Sequence, residues 1–171
     1  MINRRNEFIV NPRIEIITGK KLIGKRMRMS LAQNQTFSLW HSFMPLSKEI
    51  PNPVGTELFS VQLYEPGYFD PVDPDSEFEK WAAIEVSSFE TIPKEMEALI
   101  LTGGMYAVFL HKGAASEGSR SFRYIFGTWL PDSAYLLDDR PHFEVLGEKY
   151  KNEDPDSEEE LWIPVRPKTI P

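Results

Sequence analysis

Residues 105–131, MYAVFLHKGAASEGSRSFRYIFGTWLP, change from a strand pattern to a helix pattern within one stretch. Met105 to His111 is predominantly apolar and predicts a strand, and the glycine and serine residues after it predict a turn. Four apolar residues then recur at the i, i+3, i+4 and i+7 spacing of an amphipathic helix: Phe122, Ile125, Phe126 and Trp129. Pro131 follows this pattern and predicts the end of the helix.

The first half of the chain carries the same order of patterns. Arg13 to Ser30 is rich in isoleucine and other apolar residues and predicts strand structure with a break at Thr18-Gly19. Ser30 and Gln33 have the spacing of a capping box, which predicts that a helix starts there. Phe37, Trp40, Phe43 and Met44 recur at helical spacing after it, and the helix is expected to end near Pro45.

Strands are also predicted after each helix, because apolar and polar residues alternate there. In the first half they are Leu58 to Tyr64 and Trp81 to Ser87, and the proline-rich stretch Glu65 to Ser76 between them is a predicted loop. In the second half they are His142 to Lys149 and Glu159 to Val165.

Two copies of strand, helix, strand, strand predict an α+β fold that arose by internal duplication. The copies span about 11–88 and about 104–167 of one predicted domain, 1–171, and each predicted helix carries a central tryptophan, Trp40 or Trp129. Such a duplication predicts a pseudo-two-fold antiparallel sheet with helices on one face and a central ligand groove.

The composition limits the classes of function. Nineteen basic and 26 acidic residues give a formal net charge of −7, which disfavours direct binding to nucleic acid. No apolar run is long enough to span a bilayer, and Met1 to Phe8 lacks the apolar stretch of a signal peptide, so a cytoplasmic protein without membrane contact is expected. Without cysteine, phosphate-loop or dinucleotide motifs, and with three widely separated histidines, neither a metal nor a cofactor is expected.

Side-chain alternation divides each predicted strand into two faces. The apolar set is expected to pack beneath the helices: Phe59, Val61, Leu63, Ala82, Ile84, Val86, Phe143, Val145, Leu161, Ile163 and Val165. The alternate set is expected to face the groove: Ser60, Gln62, Tyr64, Trp81, Ala83, Glu85, Glu144, Leu146, Glu160 and Trp162. Aromatic and carboxylate side chains without a basic residue favour a flat, hydrophobic cation as the ligand.

Six residues of the alternate set are therefore the predicted ligand contacts: Tyr64, Trp81, Glu85, Glu144, Glu160 and Trp162. The competing interpretation is an ordinary solvated sheet face, on which glutamate and glutamine are common. It applies most strongly to Glu160, because the acidic run Glu153 to Glu160 is typical of an exposed loop end.

Four motifs carry a family resemblance: 106–113 YAVFLHKG, 129–131 WLP, 141–145 PHFEV and 160–165 ELWIPV. In this order they resemble the GyrI-like domain, also called the AraC-type or bacterial transcription activator effector-binding domain. The resemblance covers nearly the whole chain and implies a duplicated strand-helix-strand-strand fold. It also implies a groove with aromatic walls that binds lipophilic cations, with Glu144 and Glu160 as the counter-charges. Trp162 stands where many members have a tyrosine.

The resemblance leaves several functions open. The first is a small-molecule binding or sensing domain that has no DNA-binding module of its own, because the predicted domain leaves no residues for one. The second is a hydrolase that opens strained electrophilic rings with Glu144 or Glu160 as general base. The third is a protein-binding module similar to the gyrase inhibitors of one family branch, which would engage an as yet unknown protein partner.

Overall fold

The computed structural model describes residues 11–169, so the segment Met1 to Phe8 discussed above lies outside the described residues. The first repeat contains β1 (Arg13–Ile17), β2 (Lys20–Ser30), α1 (Thr36–Phe43), a 3-10 turn (Met44–Glu49), β3 (Leu58–Leu63) and β4 (Glu77–Val86). The second contains β5 (Glu97–Leu101), β6 (Gly104–Lys112), α2 (Gly118–Tyr124), β7 (Tyr135–Leu137), β8 (His142–Leu146) and β9 (Glu158–Pro167). A 3-10 turn before α2 and a π-helical and an α-helical turn after it complete a second helical segment, 115–132.

The strands form one antiparallel sheet in the order β1-β6-β9-β8-β3-β4-β2-β5, with β7 paired to β9. Within this order, β6-β9-β8 and β2-β4-β3 are the strands of two strand-helix-strand-strand units that meet where β3 pairs with β8. The predicted fold class, with its duplication and antiparallel sheet, is confirmed.

The leading strand of each repeat pairs with the other repeat. β1 lies beside β6, with Arg13 opposite Val108, and β5 lies beside β2, with Gly24 opposite Glu97. The two crossing connections pack closely, since a Cβ atom at Gly103 would lie only 2.5 Å from the carbonyl oxygen of Ile17. Glycine at this position permits the close approach of the two backbones.

Both helical segments lie on the same face of the sheet. Leu39 and Phe43 of α1 share a buried cluster with Ala82 and Ile84 of β4, and Ile125 of the second helical segment shares another with residues of β6 and β9. The helices thus cover the outer strands of each unit. The central pair β3 and β8 remains between them as a floor.

The opposite face of the sheet is also apolar and buried. One row of paired residues crosses five strands there: Trp81, Val61, Phe143, Trp162 and Val108. Residues near both ends of the strand order, Ile17 and Leu101, pack against the same cluster. The sheet therefore curls around this cluster, which we call the inner core; its buried members are Leu22, Phe59, Val61, Trp81, Ala83, Leu101, Tyr106, Val108, Phe143 and Trp162.

Strand faces were predicted for β3, β4, β8 and β9, and the set predicted to lie beneath the helices is wrong for β3 and β8. The groove and the helices share one face, whereas the sequence interpretation placed them on opposite faces. Consequently Trp81 and Trp162 belong to the inner core. Glu85 lies on the same side, opposite Leu22, and Glu160 lies opposite Val145. Five apolar residues predicted to lie beneath the helices face the inner core instead: Phe59, Val61, Leu63, Phe143 and Val145.

The first helix starts later than predicted. The Ser30 side chain does accept a hydrogen bond from the Gln33 amide at 3.0 Å, but this bond closes a turn that precedes the helix. The helix begins at Thr36, whose amide donates to the Asn34 side chain at 2.9 Å. The second helical segment ends at Asp132, one residue after Pro131, in agreement with the prediction. Within the described part of the chain, no helix has the length and apolarity needed to cross a bilayer.

Candidate functional site

A cleft of about 1980 Å³ lies between α1 and the second helical segment, on the helix-bearing face of the sheet. Its floor consists of residues that β3 and β8 turn toward the helices, including Ser60, Gln62, Glu144 and Leu146. The polar members of this set cluster here because the helices cover the outer strands and leave the central pair accessible to a ligand. The predicted central groove is therefore present.

Glu144 lies at the centre of the floor. It is paired with Ser60 of β3, and both face the cleft. Burial raises the pKa of the Glu144 carboxyl. Electrostatic interactions with Lys80 and with His111, and a hydrogen bond from Ser60, lower this pKa and so partly oppose the effect of burial. The Ser60 hydroxyl oxygen accepts a hydrogen bond from the side-chain amide nitrogen (Nε2) of Gln62 at 3.2 Å, which leaves the Ser60 hydroxyl hydrogen available to Glu144.

A second carboxyl in the cleft, Glu159, was not among the predicted contacts. It lies two residues before Leu161 of β9, the residue opposite Glu144, and therefore on the same face. Burial raises the pKa of Glu159 to about 8, the negative charge of Glu144 adds to the rise, and Lys80 opposes it. The final strand thus contributes Glu159 to the cleft, whereas its neighbour Glu160 points to the other side.

Lys80 corrects the expectation that the groove contains no basic residue. This half-buried lysine of β4 is paired with Gln62 and lines the cleft. The charged groups of the floor are therefore two carboxyls and one ammonium. Strand alternation places Lys80 on the same face as Phe78 and Ala82, but the predicted strand began at Trp81 and did not include Lys80.

Aromatic side chains form one wall of the cleft. The predicted contact Tyr64 packs against Tyr68 and Phe69, with ring centroids 4.5 and 4.8 Å apart. Phe69, from the loop after β3, stacks on Phe126 of the second helical segment at 4.8 Å. The loop Glu65 to Ser76 therefore joins the two repeats across one end of the cleft.

The aromatic wall carries little charge near neutral pH. Burial lowers the pKa of His142, which packs against Tyr64 and Phe69, to about 3, and the nearby Arg140 acts in the same direction. Burial and the neighbouring Glu144 also raise the pKa of the Tyr64 hydroxyl. The buried hydroxyl of Tyr68 has no hydrogen-bond partner among the described residues. A neutral imidazole and phenols beside a carboxyl suit an apolar or cationic ligand better than an anion.

Trp40 supplies an aromatic side chain to the cleft from α1, together with Phe37 and His41 at its rim. The Trp40 side chain is half-buried. Phe37 stacks on His41 with 5.6 Å between ring centroids and is 80% exposed. The i, i+4 spacing of these two residues was the available signal for this exposed pair.

The other four predicted contacts lie away from the cleft. Trp162 stacks on Phe143 within the inner core, with 5.1 Å between centroids, and Trp81 donates its indole hydrogen to Glu79 at 2.7 Å. Glu160 forms a salt bridge with Arg13, and Glu85 forms one with Lys20 at 3.5 Å. Of the six predicted contacts, the structure brings together only Tyr64 and Glu144.

Comparison with known proteins matches residues 11–166 to the model of the GyrI-like small molecule binding domain. The transcriptional regulator BrlR of Pseudomonas aeruginosa is 27% identical over 129 residues, which are 74% of this chain but only 45% of BrlR. The DNA gyrase inhibitor of Escherichia coli is 31% identical over 109 residues, 59% of this chain and 67% of the inhibitor. The structure of SAV2435 bound to tetraphenylphosphonium superimposes with a TM-score of 0.68 and 15% identity, over 92% of this chain and 94% of that one. That likeness establishes the shared fold.

Proposed function

This chain belongs to the GyrI-like small molecule binding domain family, and from that premise we propose that its cleft binds lipophilic cations, with Glu144 as the counter-charge. The chain spans less than half the length of BrlR, and the proposal concerns the domain alone.

The position of Glu144 carries the proposal. A carboxyl that is half-buried on the floor of the cleft and has no salt bridge among the described residues is costly to ionise, which its raised pKa reflects. An organic cation beside it would recover that cost, because opposite charges attract more strongly in a site from which water is excluded. An inorganic cation would lose its hydration shell without gaining from the aromatic wall.

The aromatic wall supplies the second requirement. Tyr64 and Phe69 line the cleft from the end of β3 and the loop after it, and Trp40 lines it from α1. Aromatic faces attract cations by roughly 0.5–2 kcal/mol each, and their area favours ligands with several rings. Tetraphenylphosphonium, the ligand of the structurally similar SAV2435, has both properties and is a suitable probe.

Isothermal titration with tetraphenylphosphonium tests the proposal. We expect saturable binding to the unmodified protein and a loss of about tenfold or more in Glu144→Gln, since one full charge is removed beside the ligand, a change of about 1.4 kcal/mol or more. Glu160→Gln is the matched control because it removes the same charge from the neighbouring strand, on the opposite side of the sheet. Equal losses in both variants would contradict the proposal.

Tryptophan fluorescence provides an independent readout. Trp40 is the tryptophan that lines the cleft, whereas Trp81 and Trp162 lie in the inner core. Ligand-induced quenching should therefore disappear in Trp40→Phe. It should persist in Trp129→Phe, because the Trp129 side chain packs against Phe109. Quenching that survives in Trp40→Phe would place the ligand elsewhere.

A second candidate function is hydrolysis of strained electrophilic rings. The observation in its favour is the electrostatic interaction of Glu144 with Glu159 on the same face of the sheet, since a carboxyl with a pKa of about 8 can exchange a proton near neutral pH. Here Glu159 replaces Glu160 as the second carboxyl. Incubation with styrene oxide, followed by chromatography of the diol, tests this activity; turnover that is lost in both Glu144→Gln and Glu159→Gln would support it, and absence of turnover would exclude this substrate.

A further inference from the structure

Three charged groups share the floor of the cleft without pairing with one another. Lys80 lies opposite Gln62, Gln62 lies opposite His142, and Glu144 follows two residues later on the same face of β8. Glu159 lies on the next strand. None of Lys80, Glu144 and Glu159 forms a salt bridge with a residue in the range 11–169.

The floor charges differ from the other charges of the cleft in their exposure. Lys80, Glu144 and Glu159 are half-buried. The remaining charged residues of the lining are solvent-exposed: Lys48, Asp70, Arg123, Arg166 and Lys168. Water and salt screen exposed charges strongly and half-buried charges much less. The electrostatic potential at the ligand position is therefore governed by the three floor groups.

We propose that Lys80 sets the charge selectivity of the cleft, so that the site takes lipophilic monocations in preference to dications. This inference rests on the proposed function of the same site. Above about pH 8, where Glu159 is also ionised, the floor has two carboxylates and one ammonium, a net charge of −1 that a single positive charge neutralises. A second positive charge on the ligand would meet the ammonium of Lys80 without a further carboxylate to balance it.

The Lys80 charge influences both carboxyls. It favours the ionised form of Glu144 and of Glu159, which shows that it is electrostatically coupled to each. The same field repels a cationic ligand. Because Coulomb energy scales with the product of the charges, removing the lysine charge should strengthen binding in proportion to the ligand charge.

Three aromatic probes of different charge test the inference: triphenylphosphine oxide (neutral), tetraphenylphosphonium (one charge) and p-xylylenebis(triphenylphosphonium) (two charges). At about pH 9, above the pKa of Glu159, we expect Lys80→Gln to leave the dissociation constant of the neutral probe within about twofold and to tighten the monocation by about threefold. The dication should tighten by up to about the square of that factor, roughly tenfold. Lys80→Thr, whose side chain suits a strand, is a second neutral variant.

Two control variants separate charge from other effects. Lys80→Arg keeps the charge and should keep the unmodified order of affinities, and Lys94→Gln removes an exposed lysine outside the cleft and should change each affinity by less than about twofold. Equal fold-changes for the three probes in both neutral variants would overturn the role of Lys80 while leaving cation binding intact. Failure of the unmodified protein to bind tetraphenylphosphonium would overturn the proposed function and this inference together.

Discussion

The two faces of the central strands β3 and β8 differ in polarity and in exposure. Toward the helices, these strands present Ser60, Gln62 and Glu144 to an open cleft. Toward the opposite side, they present Val61 and Phe143 to the inner core, where both are at most 1% exposed. A single pair of strands thus holds the fold together on one face and supports the candidate ligand site on the other. Stability and binding should respond to different substitutions.

The glutamates of β8 and β9 illustrate the same contrast. Glu160 is paired with Val145, next to Glu144 in sequence, yet its carboxylate is held by Arg13, whose guanidinium also lies 5.6 Å from the Trp162 ring centroid. Glu144 has no such partner among the described residues. The Glu160 carboxylate forms a salt bridge at the edge of the inner core, whereas the Glu144 carboxyl is available to a ligand.

The largest effect is expected from a cavity in the inner core. Phe143→Ala should lower the free energy of unfolding by about 3–5 kcal/mol, because Phe143 contacts Phe59, Tyr106 and Trp162. Urea denaturation followed by circular dichroism measures the change. Phe37→Ala, at the exposed rim of the cleft, should change stability by less than about 0.5 kcal/mol. Similar losses in the two variants would remove the distinction between the faces.

A smaller effect on stability should come from the floor of the cleft, and it should depend on pH. Folding raises the pKa of Glu159 from 4.5 to about 8, so the folded state binds this proton more tightly than the unfolded state. The resulting stabilisation is complete below about pH 4.5 and is lost as the pH rises to about 8. Stability should fall in this window by about 2 kcal/mol more in the unmodified protein than in Glu159→Gln, after allowance for solvent screening.

Urea denaturation at pH 5 and pH 9 provides the measurement for both proteins. Glu160→Gln serves as the matched control and should retain the pH dependence of the unmodified protein. If Glu159→Gln and the unmodified protein lost the same stability between the two pH values, the burial of Glu159 in the cleft would be refuted.

The smallest effect is expected from Ser60, which modulates Glu144. Its hydrogen bond favours the ionised carboxyl, so Ser60→Ala should raise the pKa of Glu144 further and weaken tetraphenylphosphonium binding by about threefold near neutral pH. Calorimetric titration at two pH values detects this, and the difference should shrink at high pH, where the carboxyl is ionised in both proteins. An unchanged affinity at neutral pH would argue against the coupling of Ser60 to Glu144.

The order of the elements could be predicted from sequence because the repeat and the helical periodicity are local features. Two strands were missed. β5 has the sequence EALIL, which is too short to show a convincing alternation, and β7 has only three residues. β5 lies between the predicted repeats and pairs with β2 of the first repeat, a long-range exchange that no local pattern reveals.

The facing of the strands could not be deduced from alternation, because both sides of the sheet are buried. Ala82 and Trp81 are equally plausible core residues, and only the pairing of Trp81 with Val61 shows which side each occupies. The pairing of β3 with β4 proceeds without a bulge, so the error did not come from a local irregularity. It came from assuming that helices and groove lie on opposite faces. That assumption also concealed Glu159, whereas Lys80 lay outside the predicted strand.

The proposed function places the cation on the helix-bearing side of β8, beside Glu144. A crystal structure with tetraphenylarsonium tests it directly, because the anomalous signal of arsenic locates the ligand independently of the protein coordinates. We expect one strong peak in the cleft, beside the aromatic side chains of Trp40, Tyr64 and Phe69 and nearest to the Glu144 carboxylate. A peak on the opposite side, next to Glu160 and Trp162, would contradict it.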